Sequence, residues 1–416
     1  MRIGIFTDSY EPYINGVSTS VMMLENALTK LGHEVYIVCV NPDDRTYKLE
    51  KDGHVLRIPG FPIPIANYRL TTIYPIKAVN YIKKWNLDII HSQTEFSIGT
   101  FARVIAKQFN IPVVHTYHTM YEDYIYYITK GYFDGASKKL VEYITNFYCD
   151  KTVKELIVPT AKTYKLFKDK YKYDRNIHII PTGIELDRFY KENIDTKKLN
   201  KLKSKLGIKK DEKVILYLGR LALEKSVDFL IENMKDILNK YPKTKLLIVG
   251  DGPDKEAYED LVKKCGIDDN VIFTGFIPWE ESPLYYNISD IFVTASHTET
   301  QGLTVIEAMA ASLPVVALDD ESFRNTVIPN LNGYLFKDKD EYLKSIYSLL
   351  DDSHLLKKLG NQARINVETY SSKYFAQRVL DVYSLALKGR KKEDKTFKGR
   401  LKKTVKDGFY NESSMK

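Results

Sequence analysis

The 416-residue chain has little of what marks secreted, membrane-spanning or metal-clustered proteins. It holds three cysteines, Cys39, Cys149 and Cys265, scattered and without the spacing of a zinc site or a disulfide framework. That usage fits a reducing, cytoplasmic compartment. No apolar run approaches the ~18 residues of a membrane span. Met1-Arg2-Ile3-Gly4-Ile5-Phe6 enters a strand-like pattern at once and lacks the shape of a secretory leader. No Asp-x-Asp pair stands out as a metal site, so neither an obligatory metal nor a resident cofactor is expected. The body of the chain also lacks an excess of charge. Residues 388–406 carry ten Lys and Arg against the two acids Glu393 and Asp394, and that segment alone accounts for the net charge of +8. The basic character therefore belongs to a tail.

What is present is an alternation of short β-rich runs with longer amphipathic stretches, twice over. Strands are expected at Arg2–Phe6, Glu34–Val40, Asp88–His91, Pro112–Tyr117, Glu155–Val158 and His178–Ile180. A second series is expected at Val214–Leu218, Lys245–Val249, Val271–Thr274, Ile291–Ala295 and Pro314–Ala317. Near-continuous apolar runs such as Val-Ile-Leu-Tyr-Leu suit parallel strands covered on both faces. Helices read at Ser18–Leu31, Gly99–Phe109, Ser226–Lys240, Asp254–Lys264 and Gly302–Ser312. Residues 191–210, polar and rich in lysine, read as a linker or surface segment. The fold class is thus α/β, with two Rossmann-like domains over 1–183 and 184–375. A closing helix over 376–387 and the basic tail 388–416 follow. Ligands are expected where the carboxyl ends of the two sheets face one cleft.

Chemistry-bearing residues fall where strands give way to helices. In the run Ser296-His297-Thr298-Glu299-Thr300-Gln301-Gly302-Leu303-Thr304-Val305-Ile306-Glu307, a loop carries Glu299. A helix starting near Gly302 then carries Glu307 among apolar neighbours. A buried ionised carboxylate is costly unless satisfied, and a vicinal diol such as a ribose would supply two donors. An acid capping the helix together with an internal salt bridge explains the same pattern. The N–H groups of Gln301, Gly302 and Leu303 at the helix start can hold anions or hydroxyls. Arg220 and Lys225, in Leu218-Gly219-Arg220-Leu221-Ala222-Leu223-Glu224-Lys225-Ser226, sit where they can clamp a diphosphate, or else be solvated. Gly252 follows another strand and serves a tight turn or a donor contact. In the first half, Gly16 lies in Glu11-Pro12-Tyr13-Ile14-Asn15-Gly16-Val17 after the first strand. His118 lies in His115-Thr116-Tyr117-His118-Thr119-Met120-Tyr121-Glu122-Asp123-Tyr124 after another, as a cleft residue or a bonded core histidine.

These motifs resemble those of the family 4 retaining glycosyltransferases, which have the two-domain GT-B architecture. The separation of Glu299 from Glu307 matches the family's E-x7-E motif, and the turn with Arg220 and Lys225 is similar to its G-R-x-x-x-x-K turn. The resemblance covers about 1–385 and is densest in the second domain. It implies that Glu307 binds the nucleotide ribose and that Glu299 and His118 contact the donor sugar. It further implies that Arg220 and Lys225 hold the diphosphate, with Phe276 near the uracil. The glycine loop is implied to bring Gly16 to the donor phosphate, although Asn15 stands where the family often has a second glycine. With Gly252, Gln301, Gly302 and Leu303 these make up the expected donor site.

The His-Thr-x-Tyr-x-Asp-Tyr run and Glu-Thr-Gln-Gly-Leu-Thr also resemble the diacylglycerol glucosyltransferases that make bacterial membrane glycolipids. That likeness implies retaining transfer of glucose from UDP-glucose to 1,2-diacylglycerol, with Tyr121 and Asp123 on the acceptor side. Another glycan, polyol or cell-wall acceptor remains open, as does an epimerase or binding protein on the same fold. Residues 61–87 interleave apolar side chains with Arg69, Lys77, Lys83 and Lys84, as an amphipathic basic helix on anionic lipid does, or a core helix with a solvated face. The tail has the polybasic character that binds anionic membranes. The expected partners are therefore a nucleotide sugar, a lipid acceptor and an anionic membrane surface, with no nucleic acid. The expected location is peripheral, on the cytoplasmic face of the cell membrane.

Overall fold

The computed structural model describes residues 1–13, 15–62, 69–72, 74–118, 152–297 and 299–389. Among them, one eight-stranded sheet is built from the first half. Its order is Asn176–Ile179, Glu155–Val158, Val113–Thr116, Ile89–Ser92, Arg2–Thr7, Glu34–Val40, Val55–Ile58, Lys48–Glu50. All neighbours pair in parallel except the last two, which are antiparallel. A six-stranded, wholly parallel sheet follows, in the order Val271–Phe273, Thr244–Val249, Lys213–Leu218, Ile291–Thr294, Val315–Leu318, Gly333–Phe336. The two Rossmann-like halves read from the sequence are therefore present.

Three elements differ from the sequence reading. The edge pair Lys48–Glu50 and Val55–Ile58 is not among the expected strands, yet Val55, Leu56 and Ile58 are fully buried. Gly333–Phe336, also not among the expected strands, begins on the glycine of an Asn-Gly pair. A Cβ at Gly333 would lie 2.1 Å from the Val315 carbonyl oxygen, so the glycine allows the two strands to approach. Residues 191–210, read as a linker or surface segment, form a largely exposed surface segment. They contain the helix Thr196–Lys205, which sets Leu199 and Leu202 into the second domain's core.

In each sheet the strand order reverses once. In the first it reverses around Arg2–Thr7, and in the second between Lys213–Leu218 and Ile291–Thr294. Such switch points open a crevice at the carboxyl ends of the strands. The chain passes between halves at 180–184 and returns at 370–375, and the two passages lie side by side. Ile184 N–H donates to Tyr370 O at 2.9 Å and Ser372 N–H to Ile184 O at 2.8 Å. The returning chain continues as a helix over 372–389. Phe375, Ala376, Val379, Val382 and Tyr383 of that helix join the core of the first sheet. The C-terminal segment thus packs back on the first half, each buried Val or Phe contributing about 1.5–3 kcal/mol.

Candidate active site

Two loops leave adjacent strands at the second sheet's switch point. One follows Leu218 and carries Arg220 and Lys225; the other follows Thr294 and carries Glu299. They meet in an ion pair, with Lys225 Nζ 2.5 Å from Glu299 Oε1 and 3.5 Å from Ser296 Oγ. Burial pushes the Glu299 carboxyl up, but the Lys225 ammonium and the Ser296 hydrogen bond outweigh it, and the group stays below its ordinary range. Glu299 does not cap the helix: the N-cap of Leu303–Ala310 is Gly302, at φ 76°. A Cβ there would meet the Phe323 ring at 2.5 Å, so both backbone and space require glycine. The first N–H groups of a helix lack intrahelical partners.

Arg220 is half exposed and hydrogen-bonded to the Glu224 carboxylate. Glu224 is buried, so the guanidinium is held rather than free to sweep. Gly252 is used for packing: its missing Cβ would lie 2.1 Å from the Leu221 carbonyl oxygen. A Cβ at Gly250 would likewise lie 1.9 Å from the Gly219 carbonyl oxygen. These glycines let one loop brace the loop carrying Arg220, which fits the tight-turn reading of Gly252. Phe276 is 64% exposed at the same edge of the sheet.

Glu307 is 5% exposed within its apolar helix. The fully buried Tyr286 hydroxyl donates to its Oε2 at 2.6 Å. Burial raises the Glu307 pKa to about 7, against the lowering influence of Tyr286, Trp279 and Arg188. Arg188 stacks on the Trp279 ring, 3.6 Å from its centroid. No ion pair of Glu307 occurs among the described residues, so its burial is not resolved by an internal salt bridge. Tyr286, Trp279 and Arg188 were missed from the sequence, where nothing distinguishes them from core aromatics and a surface arginine.

In the first half, Asn15 caps the helix Gly16–Lys30, its side chain accepting from the N–H groups of Val17 and Ser18 in a capping box. The residue in the second glycine's place thus starts the helix, and a Cβ at Gly16 would meet nothing within 4 Å. A cavity of ≈ 170 Å³ lies between Glu11, Tyr13, Ser18 and Met22 on this side and Trp279 and Glu280 on the other. His118 follows the interior strand Val113–Thr116 by two residues and donates from Nε2 to Gln93 Oε1 at 2.7 Å, which leaves Nδ1 as its acceptor. Burial lowers its pKa to about 3, with the nearby His115 adding to the effect, so the imidazole is neutral.

The structure joins Lys225 to Glu299 directly but sets His118, Arg220 and Glu307 against separate partners. Gln301, expected at the donor, has its side chain turned to Thr182, leaving only its N–H group for that role. Lys77, Lys83 and Lys84 lie on the exposed side of Ile76–Trp85, whose Ala78, Val79, Ile82 and Trp85 are buried in the first sheet's core. The apolar stripe of that helix is a core stripe; its outward side carries the three lysines together with Ile76 and Tyr81. Tyr121, Asp123 and the tail from 390 lie outside the described residues.

Two Rossmann-like sheets joined by a double crossover form the GT-B arrangement. Residues 14–188 match the family described as Glycosyltransferase Family 4, and residues 199–366 match Glycosyl transferases group 1. The chain belongs to the family 4 glycosyltransferases and is an enzyme of hexosyl transfer. Among its relatives is the alpha-monoglucosyldiacylglycerol synthase of Acholeplasma laidlawii, 38% identical over 403 residues, covering 95% of this chain and 100% of that protein. The Streptococcus pneumoniae protein of the same name is 38% identical over 351 residues, covering 84% and 78%. Among solved structures, Anabaena HepE in complex with UDP shares the fold at TM-score 0.70 and 16% identity, covering 92% of this chain and 100% of that one.

Proposed function

We propose that the enzyme transfers glucose from UDP-glucose to 1,2-diacylglycerol with retention, forming an α-glucosyl glycolipid. The observation that carries this reading is the pairing of Lys225 with Glu299 beside a buried, hydrogen-bonded Glu307. They sit in a chain 38% identical, over nearly its whole length, to a protein named for this product. Glu307 takes the ribose diol on the oxygen that Tyr286 leaves open. The diphosphate engages Lys225 and Arg220, and Glu299, released from Lys225, takes sugar hydroxyls. His118 offers Nδ1 to another. No metal is needed to hold the donor.

Both carboxylates are committed to binding, so neither is placed as a nucleophile or a general base. The acceptor oxygen attacks C1 from the face the diphosphate leaves. The C1–O bond to phosphate breaks as the bond to the acceptor oxygen forms, and the acceptor proton passes to the departing phosphate oxygen. Lys225 and Arg220 stabilise the negative charge that develops there.

The acceptor lies in a membrane, and no described helix is long and apolar enough to cross one. Peripheral docking on the cytoplasmic face suits the outward side of Ile76–Trp85, where Ile76 is 71% exposed and Tyr81 stands beside Lys77, Lys83 and Lys84. The basic tail adds charge to the same attachment. Incubation of the full chain with a panel of UDP-sugars and mixed-lipid liposomes, read by product mass, tests the reading. A hexosyl-diacylglycerol formed from UDP-glucose supports it, and a product built only on a soluble glycan or polyol refutes it.

A further inference from the structure

Thr182 sits in the crossover between the halves and is held from three directions. Gln301 grips its backbone with both ends of the side-chain amide: Thr182 N–H donates to Gln301 Oε1 at 2.7 Å, and Gln301 Nε2 donates to Thr182 O at 2.8 Å. The Thr182 hydroxyl meets Ser20 Oγ at 2.9 Å, on the helix that starts at Gly16. On its far side Gly183 lies against the returning chain, where a Cβ would come within 2.5 Å of the Ser371 carbonyl oxygen. Ser20, Thr182 and Gln301 are all buried. A two-point amide grip on a backbone imitates one rung of a strand pair, and leaving those buried groups unpaired is costly. Gln301 is also two residues from Glu299, on the same loop.

We infer that Gln301 is a positioning residue. It clasps the donor loop to the interdomain crossover, and through Thr182 and Ser20 to the helix behind Gly16, so that Glu299 is held in register with the first half. This rests on the reading of Glu299 as a sugar contact. Binding of the nucleotide itself, through Glu307, Arg220 and Lys225, does not pass through the clasp. The clasp therefore governs turnover and leaves UDP affinity alone.

The test is Gln301→Met, which keeps length and removes both hydrogen bonds, with Ser20→Ala as a second variant that cuts only the far end. In Gln301→Met, glucosyl transfer should fall at least tenfold while UDP affinity by calorimetry stays within twofold. Exchange of the Thr182 amide hydrogen, whose acceptor is lost, should accelerate. Ser20→Ala should lower transfer by a smaller factor, again without weakening UDP, and it carries the test if Gln301→Met does not fold. Unchanged transfer in the variants overturns the inference. So does a loss of UDP affinity equal to the loss of transfer, which would make Gln301 a donor ligand, or a Thr182 amide as protected as in the wild type. If the wild type glucosylates no diacylglycerol, the proposed function falls. The exchange result still decides whether the clasp exists, and turnover is then read on the acceptor that the enzyme does use.

Discussion

The Lys225 ammonium lies 2.5 Å from the Glu299 carboxylate, joining two loops that are 74 residues apart in the chain. Each is about one-fifth exposed, so neither charge is fully hydrated once its partner is lost. Glu299 is held below its ordinary range. The pair's contribution to stability is therefore present above the ordinary carboxylate value and is lost as pH falls through the lowered one. Lys225→Ala should weaken UDP binding and reduce turnover, by about 10²–10³ if it removes one transition-state charge contact. Glu299→Gln should lower turnover far more than UDP affinity. Calorimetry alongside steady-state kinetics checks both, and equal losses in affinity and turnover for Glu299→Gln would remove it from the sugar.

Glu307 gives a pH signature. Its folded pKa, about 7, lies above the ordinary value, so its contribution to stability is present below that ordinary value and lost as pH rises through 7. The melting-temperature difference between Glu307→Gln and the wild type should accordingly grow in favour of the variant from pH 5 to pH 8. Binding of UDP-glucose, whose diphosphate has no ionisation near 7, should strengthen over the same range as the carboxylate forms to accept the ribose hydroxyls. In Glu307→Gln the pH dependence should vanish and affinity should drop by about 1–3 kcal/mol. Arg188, Tyr286 and Trp279 are the groups facing this carboxyl, and burial pushes the Tyr286 hydroxyl well above its ordinary range.

His118 is expected to be silent in the same experiment. Its pKa of about 3 leaves it neutral at any working pH, with Nε2–H donated to Gln93. His118→Ala should lower turnover without removing any ionisation from the turnover profile between pH 5 and pH 8. Loss of a step near pH 6 in the variant would show that the histidine titrates.

The tail is a separate matter of charge. Residues 388–406 carry the whole net +8, and each Lys or Arg near an anionic surface contributes about 1 kcal/mol, screened by salt. Truncation after Leu387 should cut binding to anionic liposomes and lipid glucosylation, most at low ionic strength, while leaving UDP affinity intact. Equal sedimentation of the truncated and full chains with liposomes would leave only the outward side of Ile76–Trp85 as the membrane contact.

Local signals carried most of this architecture. Parallel strands buried on both faces announce themselves as apolar runs, and Glu307 stood out as a lone carboxylate in an apolar helix. Pairings set by sheet order were not legible. Lys225 reaches Glu299 only because Lys213–Leu218 and Ile291–Thr294 are neighbours, and Gln301 reaches Thr182 across 119 residues. Nor could the alternation in 61–87 say which partner its apolar side has. Trp85 settles that by stacking on Tyr36, ring centroids 4.8 Å apart, inside the core.

The central claim is retaining glucosyl transfer to diacylglycerol. Its most direct test is the anomeric configuration of the lipid product, by NMR, after the full-length enzyme acts on UDP-glucose and liposomes containing 1,2-diacylglycerol. An α-glucosyl diacylglycerol released with one UDP per sugar is the predicted result. A β-linked product would contradict the front-face mechanism, and consumption of UDP-glucose without any glucosylated lipid would contradict the acceptor.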